Sequence, residues 1–209
     1  MRRLFNNTLV LKIDSIKPDG KLIKYAAGVL KNGGLVAFPT ETVYGLGANL
    51  LNKKAIRRLY KVKDRPGNKP LTVHIASVSQ IMALGCVLDV KSKKLAKKFW
   101  PGPLTMVLAS KIGKPVGFRM PANKVALYLI KASGVPVVAP SANLSGKKPP
   151  TDARAVLAGL DGKIDVLLDS GRTDVGVEST VVDMTAHPIR ILRQGAVKEV
   201  DIKKILANG

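Results

Sequence analysis

Short apolar segments alternate with segments of helical periodicity along the whole 209-residue chain, and this alternation constrains the fold more than any other feature. Segments that intermingle in this way predict helices packed on a sheet rather than separate helical and strand regions. With 46% hydrophobic residues, the chain has enough apolar side chains for a sizeable core. We therefore predict an α/β fold, a single domain over residues 1–209 with an open, twisted, mixed sheet and flanking helices.

The periodicities give the approximate bounds of the elements. Predicted strands cover 8–13, 35–38, 71–75, 104–108, 116–121, 135–139, 164–168, 179–184 and 189–192; predicted helices cover 18–32, 53–63, 92–100, 125–132 and 199–207, with others beginning near 78 and 151. The hydroxyl-rich segment 39–47 is predicted to be a loop. Pro136 predicts that its strand is irregular or near a sheet edge, because proline has no N–H to donate to a ladder.

The charge balance is strongly basic: 35 Lys and Arg against 14 Asp and Glu give a net charge of +21. Such an excess favours anionic partners, nucleic acid first among them. Cations concentrate in segments 53–69 and 91–98. Because only 4% of residues are aromatic, a base-stacking platform is poorly supplied, and any nucleic-acid contact should be with phosphates. A solvated basic surface is the alternative interpretation.

Other totals exclude several classes of protein. A single cysteine, Cys86, excludes an internal disulfide framework, and two histidines make a histidine-built metal site improbable. The apolar runs are shorter than the roughly 20 residues that span a bilayer, and the first seven residues lack the apolar core of a secretory signal. These features predict a soluble, cytoplasmic protein with no membrane partner.

The segment Lys63–Pro70 is the first candidate for a functional site. It places three cations within a loop that contains proline and glycine, directly before an apolar strand. A cationic loop held against a strand end suits a polyanion such as a nucleoside triphosphate. The alternative is a solvated basic loop. The chain lacks both the glycine-rich phosphate loop and the dinucleotide-binding fingerprint.

Polar side chains recur at the margins of the predicted strands. They are Thr40, Thr42, Lys63, Arg65, Lys69, Arg119, Ser141, Asn143, Lys147, Ser179 and Arg193. Strand ends of an open α/β sheet converge on one rim, where ligands commonly bind. Many cations and hydroxyls with few acids predict a site for an anionic nucleotide beside a small polar substrate. His74 interrupts an apolar strand and is either a site residue or a hydrogen-bonded core histidine.

Several motifs resemble those of the YrdC-like family and follow in that family's order. They are GGLVAFPTETVYGLG at 33–47, K-x-R with KP at 63–70, WPGPLT at 100–105, FRMP at 118–121, APSAN at 139–143, ESTVVD at 178–183 and LRxG at 192–195. The motifs span about residues 20–197, nearly the whole chain. The resemblance implies an open α/β fold with a basic concave face.

The resemblance also implies an activity, that of a threonylcarbamoyl-AMP synthase in its single-domain form. This nucleotidyltransferase makes threonylcarbamoyl-adenylate and pyrophosphate from L-threonine, bicarbonate and ATP, with Mg²⁺ accompanying the ATP. A separate threonylcarbamoyl transferase then modifies tRNA. By motif, ATP would be held by Lys63, Arg65, Lys69, Ser141, Asn143, Lys147 and Arg193, with Lys63 and Arg65 catalytic. Threonine would be held by Thr40, Thr42, His74, Arg119 and Ser179.

The resemblance has local departures and leaves alternatives. Asn123 and Gln194 stand where many relatives have histidine and proline, and the chain ends before the C-terminal domain of larger members. One alternative is an RNA-binding module for double-stranded RNA or tRNA without its own catalysis. Another is a carbamoyl-transferring relative of the hydrogenase-maturation type, against which the single cysteine argues.

Overall fold

The computed structural model describes residues 7–111 and 113–207. The elements in chain order are β1 (Leu9–Lys12), α1 (Gly20–Lys31), β2 (Val36–Phe38), β3 (Gly45–Asn49), α2 (Lys53–Val62), β4 (Thr72–His74), α3 (Ser79–Ala83), α4 (Val90–Phe99), β5 (Leu104–Leu108), β6 (Val116–Arg119), α5 (Lys124–Ser133), β7 (Val137–Val138), α6 (Ala153–Leu160), β8 (Val166–Asp169), β9 (Thr180–Asp183), β10 (Arg190–Arg193) and α7 (Glu199–Ala207). The predicted domain 1–209 includes residues 1–6, 112, 208 and 209, which lie outside the described part. Most of the N-terminal segment that was predicted to lack a secretory signal lies outside it as well.

The strands of the described residues form one ten-stranded sheet in the order β1-β8-β2-β3-β7-β4-β6-β5-β9-β10. The sheet is mixed. For example, β4 runs parallel to β6, whereas β3 runs antiparallel to both β2 and β7. The predicted α/β class with an open mixed sheet and flanking helices is therefore confirmed.

The sheet separates two apolar cores. Strand β2 shows how, since Val36 and Phe38 pack into one core while Ala37 packs into the other. Successive strand residues point to opposite faces, so a strand covered on both sides is apolar throughout. Helices α1 and α5 cover one face, and α2, α4, α6 and α7 contribute to the core on the other.

Side-chain caps fix where many helices begin. Asn52 accepts hydrogen bonds from the main-chain N–H groups of Lys54 and Ala55 and so caps α2, which begins at residue 53 as predicted. Asn123, one of the departures from the family pattern, caps α5 through the N–H of Ala126 at 3.1 Å. Its asparagine side chain therefore has a local structural role.

Two predictions about strands differ in part from the structure. The predicted loop 39–47 ends in residues that already belong to β3, whose two glycines approach the ring of Phe38 closely. Strand β7 is central rather than near an edge, although its irregularity is confirmed, since only Val137 and Val138 pair. Pro136 is compatible with this position because it precedes the strand and contributes its carbonyl to Leu50 N–H.

Among the described helices, none is both long enough and apolar enough to cross a bilayer. Cys86 is buried and free, and His187 is exposed.

Candidate active site

A pocket opens where the segment after β2, the loop after α2 and the segment after β7 meet strands β4, β5, β6 and β10. The predicted site residues that line it are Thr40, Arg65, His74, Arg119, Ser141, Ser179 and Arg193. They come from distant parts of the chain, and the sheet order brings them together. The expectation of a common site at the strand margins is met for these residues.

Arg119 lies at the end of β6 and is almost completely buried. Its Nη2 donates to Thr42 Oγ1 at 2.8 Å, and its Nε lies 3.4 Å from the carbonyl oxygen of Gly102. Burial is the main reason that the pKa of Arg119 is lowered from its ordinary value, and Glu41 opposes this shift. Among the described residues, Nη1 has no hydrogen-bond partner, which leaves an edge of the guanidinium for a ligand.

Glu41 is the counter-ion of Arg119. Its Oε2 lies 2.8 Å from Arg119 Nη2, and the residue is only 5% exposed. Within the described residues neither carboxylate oxygen accepts an aligned hydrogen bond. Glu41 therefore balances a buried cation from behind the pocket wall.

Thr40 and Thr42 organise the turn that follows β2. Thr40 Oγ1 donates to the carbonyl of Val43 at 2.7 Å, and it lies 2.9 Å from Thr42 Oγ1. Thr42 does not itself line the pocket, but it receives the hydrogen bond from Arg119. The hydroxyls thus connect the turn to the guanidinium.

His74 is the last residue of β4 and is buried in the pocket wall. Burial, with a further contribution from the positive charge of Arg119, lowers the pKa of His74 to about 3. The imidazole is therefore neutral at physiological pH. Its Nδ1 has no hydrogen-bond partner among the described residues. His74 lines the pocket, and its role as a threonine ligand stays a prediction.

Ser179 and Arg193 form a second polar group in the pocket. Ser179 Oγ lies 2.8 Å from Thr105 Oγ1 and 3.2 Å from Arg193 Nη2. Arg193 also donates from Nη2 to the carbonyl of Ser179 at 2.9 Å and from Nη1 to Glu178 Oε1 at 2.9 Å. The guanidinium is held in place on β10 before any ligand binds.

Lys63 stands behind the pocket rather than in its lining. It is 1% exposed, and its ammonium donates to the carbonyl oxygens of Ser141 and, at 2.5 Å, Asn143. Burial and the neighbouring Arg65 lower the pKa of Lys63 to about 8, while Glu178 opposes the shift. The lysine thus brings a buried positive charge beneath the 141–147 loop and fixes the path of that loop.

The end of α2 directs Arg65 into the pocket. Asp64 adopts φ +48°, and Arg65 N–H donates to the carbonyl of Tyr60 at 3.0 Å, a helix-ending turn with a left-handed residue. The helix therefore ends before Pro66, where the sequence had placed the break. Arg65 Nη2 donates a hydrogen bond to the carbonyl oxygen of Pro70 at 2.8 Å, and the buried Nε of Arg65 has no partner among the described residues.

The remaining predicted ATP residues lie outside the pocket lining. Asn143 is buried in the 141–147 loop, where its Nδ2 donates to the carbonyl of Lys147 at 2.5 Å and its Oδ1 has no partner among the described residues. Lys69 and Lys147 have exposed positions on their loops. Their contact with a nucleotide stays a prediction.

Comparison with known proteins identifies the family. Residues 28–195 match the Sua5/YciO/YrdC family model, which is described as "Telomere recombination". The chain belongs to the Sua5/YciO/YrdC family. It is 47% identical over 193 residues to the threonylcarbamoyl-AMP synthase of Pyrococcus abyssi and 43% identical over 203 residues to that of Bacillus subtilis, alignments that cover 88% and 92% of this chain.

A solved structure gives the same fold. The structure of P. abyssi Sua5 complexed with L-threonine superposes with a TM-score of 0.91 at 43% identity, covering 95% of this chain and 61% of that one. The alignments cover 57% and 59% of the P. abyssi and B. subtilis synthases. This Sua5/YciO/YrdC chain thus spans less than two thirds of these relatives.

Sequence reasoning missed several residues of this family member's pocket. Tyr44, Thr105 and Glu178 line it, and Glu41 supports Arg119 from behind. Burial raises the pKa of Tyr44 to about 12, and its hydroxyl donates to the carbonyl of Gly171 at 2.6 Å. Glu178 directly precedes Ser179 in a motif that was recognised, so this motif was the available signal for it.

Proposed function

We propose that the chain synthesises L-threonylcarbamoyl-AMP from L-threonine, bicarbonate and ATP and releases pyrophosphate, as an L-threonylcarbamoyladenylate synthase of the nucleotidyltransferase class. The observation that carries the proposal is the presence in one pocket of Arg119, whose Nη1 has no partner among the described residues, and of the cationic rim formed by Arg65 and Arg193. The names of the relatives and the threonine complex of P. abyssi Sua5 support the same choice.

The amino-acid end of the proposed site is built around Arg119. The free Nη1 of this guanidinium suits a carboxylate, because its N–H groups can donate charge-assisted hydrogen bonds to the carboxylate oxygens. Thr40, His74 and Ser179 surround it with hydroxyl and neutral imidazole groups. We assign threonine to this end, its carboxylate on Arg119 and Thr42 holding the guanidinium in position.

The nucleotide end is built around the loops that carry Arg65 and Ser141. Arg65 and Arg193 supply cations to the pocket, and the buried ammonium of Lys63 lies under the 141–147 loop. Fixed positive charge of this kind stabilises the negative charge that grows on the phosphates during transfer. We assign the α-phosphate to this rim, with Asn143, Lys69 and Lys147 as further ligands of the nucleotide.

The proposed chemistry needs no covalent enzyme intermediate. The threonine amine and bicarbonate form a carbamate with loss of water, and a carbamate oxygen attacks the α-phosphorus while the bond to pyrophosphate breaks. Holding the reactants in contact removes much of the entropic barrier. Fixed charges on Lys63, Arg65 and Arg193 offset the repulsion between the carbamate anion and the phosphates.

Mg²⁺ enters this proposal with ATP. Among the described residues, no group of three or more His, Cys, Asp or Glu side chains could hold a metal ion. The phosphates of ATP are the ligands that we assign to the ion. Bound there, Mg²⁺ would neutralise phosphate charge.

The wider setting is also proposed. We infer a cytoplasmic reaction whose adenylate product passes to a separate transferase that acts on tRNA. The exposed cations of α2 and α4 are the surface on which the predicted contact with tRNA or double-stranded RNA would form. Binding of this kind would weaken steeply with salt.

The proposal is tested by product formation. The protein is incubated with Mg²⁺-ATP, bicarbonate and one amino acid at a time, and pyrophosphate and the adenylate are measured. We expect release that requires all three substrates and is greatest with threonine. Release with no amino-acid dependence, or no release under any combination, would reject the proposal. RNA binding that persists without ATP and threonine, together with absent turnover, would favour the binding-module alternative.

A further inference from the structure

Glu178 contributes the one carboxylate found among the described lining residues of the pocket, beside the cations Arg65, Arg119 and Arg193. Its Oε1 accepts a hydrogen bond from Arg193 Nη1 at 2.9 Å. Its Oε2 has no hydrogen-bond partner within the described residues. The side chain is 34% exposed, so a ligand in the pocket can reach it.

The backbone of Glu178 is held firmly. Its carbonyl accepts a hydrogen bond from Ala196 N–H at 3.0 Å, and a Cβ atom placed on Gly195 would lie only 2.3 Å from that carbonyl oxygen. Glycine at 195 permits this close approach of two main-chain segments. The main chain that carries the Glu178 side chain is therefore fixed before a ligand binds. Such preorganisation is expected of a residue that binds a ligand.

Glu178 and Arg119 provide opposite charges in the same pocket. The negative charge of Glu178 acts on both Arg119 and Lys63, opposing the lowered pKa of each. Glu41, the other nearby acid, does not line the pocket, and its charge is matched by Arg119. Glu178 is itself paired with Arg193 through Oε1, but it lines the pocket, so its Oε2 is the acidic group that a cationic part of the substrate can reach.

An α-amino acid presents a carboxylate and an ammonium group a few ångströms apart. If the carboxylate binds Arg119, an unpaired ammonium in a pocket rich in arginine would suffer repulsion from its cations. We propose that Glu178 forms the subsite for the α-ammonium group of the amino-acid substrate, through Oε2. This inference rests on the proposed function and adds a determinant of specificity: the pocket selects amino acids over hydroxy acids that lack the amine.

The competing explanation is that Glu178 acts only through Arg193, as a support for nucleotide binding. Glu178→Gln separates the two explanations, because the amide oxygen can still accept the hydrogen bond from Arg193 while the negative charge is lost. Glu199→Gln is the matched control, since Glu199 lies on α7 and pairs with Lys203 at 2.8 Å.

The experiment measures dissociation constants by calorimetry on the full chain, so it needs no turnover. The ligands are threonine, 3-hydroxybutanoate (the same carbon skeleton without the amine) and ATP. We expect Glu178→Gln to weaken threonine binding about tenfold or more, the scale of one lost charge-assisted hydrogen bond. Binding of 3-hydroxybutanoate and of ATP should change less than twofold, and Glu199→Gln should match the wild type for all ligands.

Equal weakening of threonine and 3-hydroxybutanoate, unchanged threonine binding, or weakening confined to ATP would each overturn the ammonium subsite. If 3-hydroxybutanoate binds too weakly to measure directly, its competition against threonine gives the same constant. A wild-type protein that binds no threonine would reject the proposed function itself. The two failures are therefore distinguishable.

Discussion

The ammonium of Lys63 donates a hydrogen bond to the main-chain carbonyl of Asn143 at 2.5 Å, so the residue that ends α2 holds the loop that follows β7. The loop also donates from Ser145 N–H to the carbonyl of Lys63 at 2.7 Å. Lys63 therefore has a structural role in addition to the catalytic role that was predicted for it.

Replacing Lys63 should affect both stability and activity. Lys63→Met removes the donor from the buried carbonyls of Ser141 and Asn143, and an unsatisfied buried acceptor costs about 1–3 kcal/mol. We expect a loss of that size in the free energy of unfolding, measured in urea, together with loss of pyrophosphate release. Lys61→Met, on the exposed face of the same helix, should change neither. Unaltered stability and activity in Lys63→Met would contradict both roles.

Nucleotide binding should weaken in alkali through Lys63. Because its pKa is lowered to about 8 in the folded protein against 10.5 as a free group, its charge is lost above pH 8. ATP affinity should then fall by up to about tenfold per pH unit. Between pH 8 and 10.5, Lys63 binds more protons in the unfolded chain than in the folded protein. Its contribution to the free energy of unfolding therefore increases as the pH rises. Calorimetry from pH 7 to 9.5 measures the ATP affinity of the wild type. An affinity that does not change over this range would contradict the prediction.

His74 should make the fold sensitive to acid. Its pKa of about 3 in the folded protein lies below the 6.5 of the free group, so its contribution to stability is present above pH 6.5 and is lost as the pH falls towards 3. The slope approaches about 1.4 kcal/mol per pH unit. Between pH 7 and 5 the wild type should lose about 2 kcal/mol more than His74→Gln, measured by urea unfolding. Equal losses in the two proteins would show that the imidazole titrates normally.

Breaking the Arg119–Glu41 pair should be costly, whereas removing both charges should be less so. Arg119→Met leaves the Glu41 carboxylate buried without a counter-ion, which costs about 3–5 kcal/mol. In Arg119→Met/Glu41→Met that charge is gone, and we expect part of the stability to return. The pair Arg190–Asp183, 3.7 Å apart, is the control: because the Arg190 side chain is 69% exposed, Arg190→Met should cost less than about 1 kcal/mol. The pair would not be coupled if the double variant were no more stable than Arg119→Met.

A methyl group at Gly195 should displace the Glu178–Ser179 backbone. The added Cβ would lie 2.3 Å from the carbonyl oxygen of Glu178, and displacing main-chain atoms to relieve this overlap costs free energy. We expect Gly195→Ala to cost about 1–3 kcal/mol, the range for overpacking, and to weaken threonine binding. Gly28→Ala, in α1 with open space around it, should instead stabilise by about 0.5–1 kcal/mol. Thermal unfolding of both variants checks the opposite signs.

The sequence predicted features that depend on local chemistry. The start of α2 at residue 53 and the terminal helix, predicted at 199–207 and found at Glu199–Ala207, follow from side chains and periodicity within a few residues. The strand margins also predicted much of the pocket, because residues that end neighbouring strands must lie near one another.

Features that depend on the order of strands were not predictable from periodicity. The central position of β7, the pairing of Glu41 with Arg119 and the burial of Lys63 all require contacts between segments far apart in the chain. Glu178 was missed for a related reason. Only the geometry identifies it as the carboxylate that shares a wall with the arginines.

The pocket wall combines Thr40, which follows β2, with Arg193 of β10, strands far apart in the sheet order. A molecule that contacts both must be released before the sheet between them can unfold. At a hundred times its dissociation constant, such a molecule adds about 2.7 kcal/mol to the free energy of unfolding. The supply of such a ligand in the cell would thereby help to set how long each copy of the protein survives against proteases.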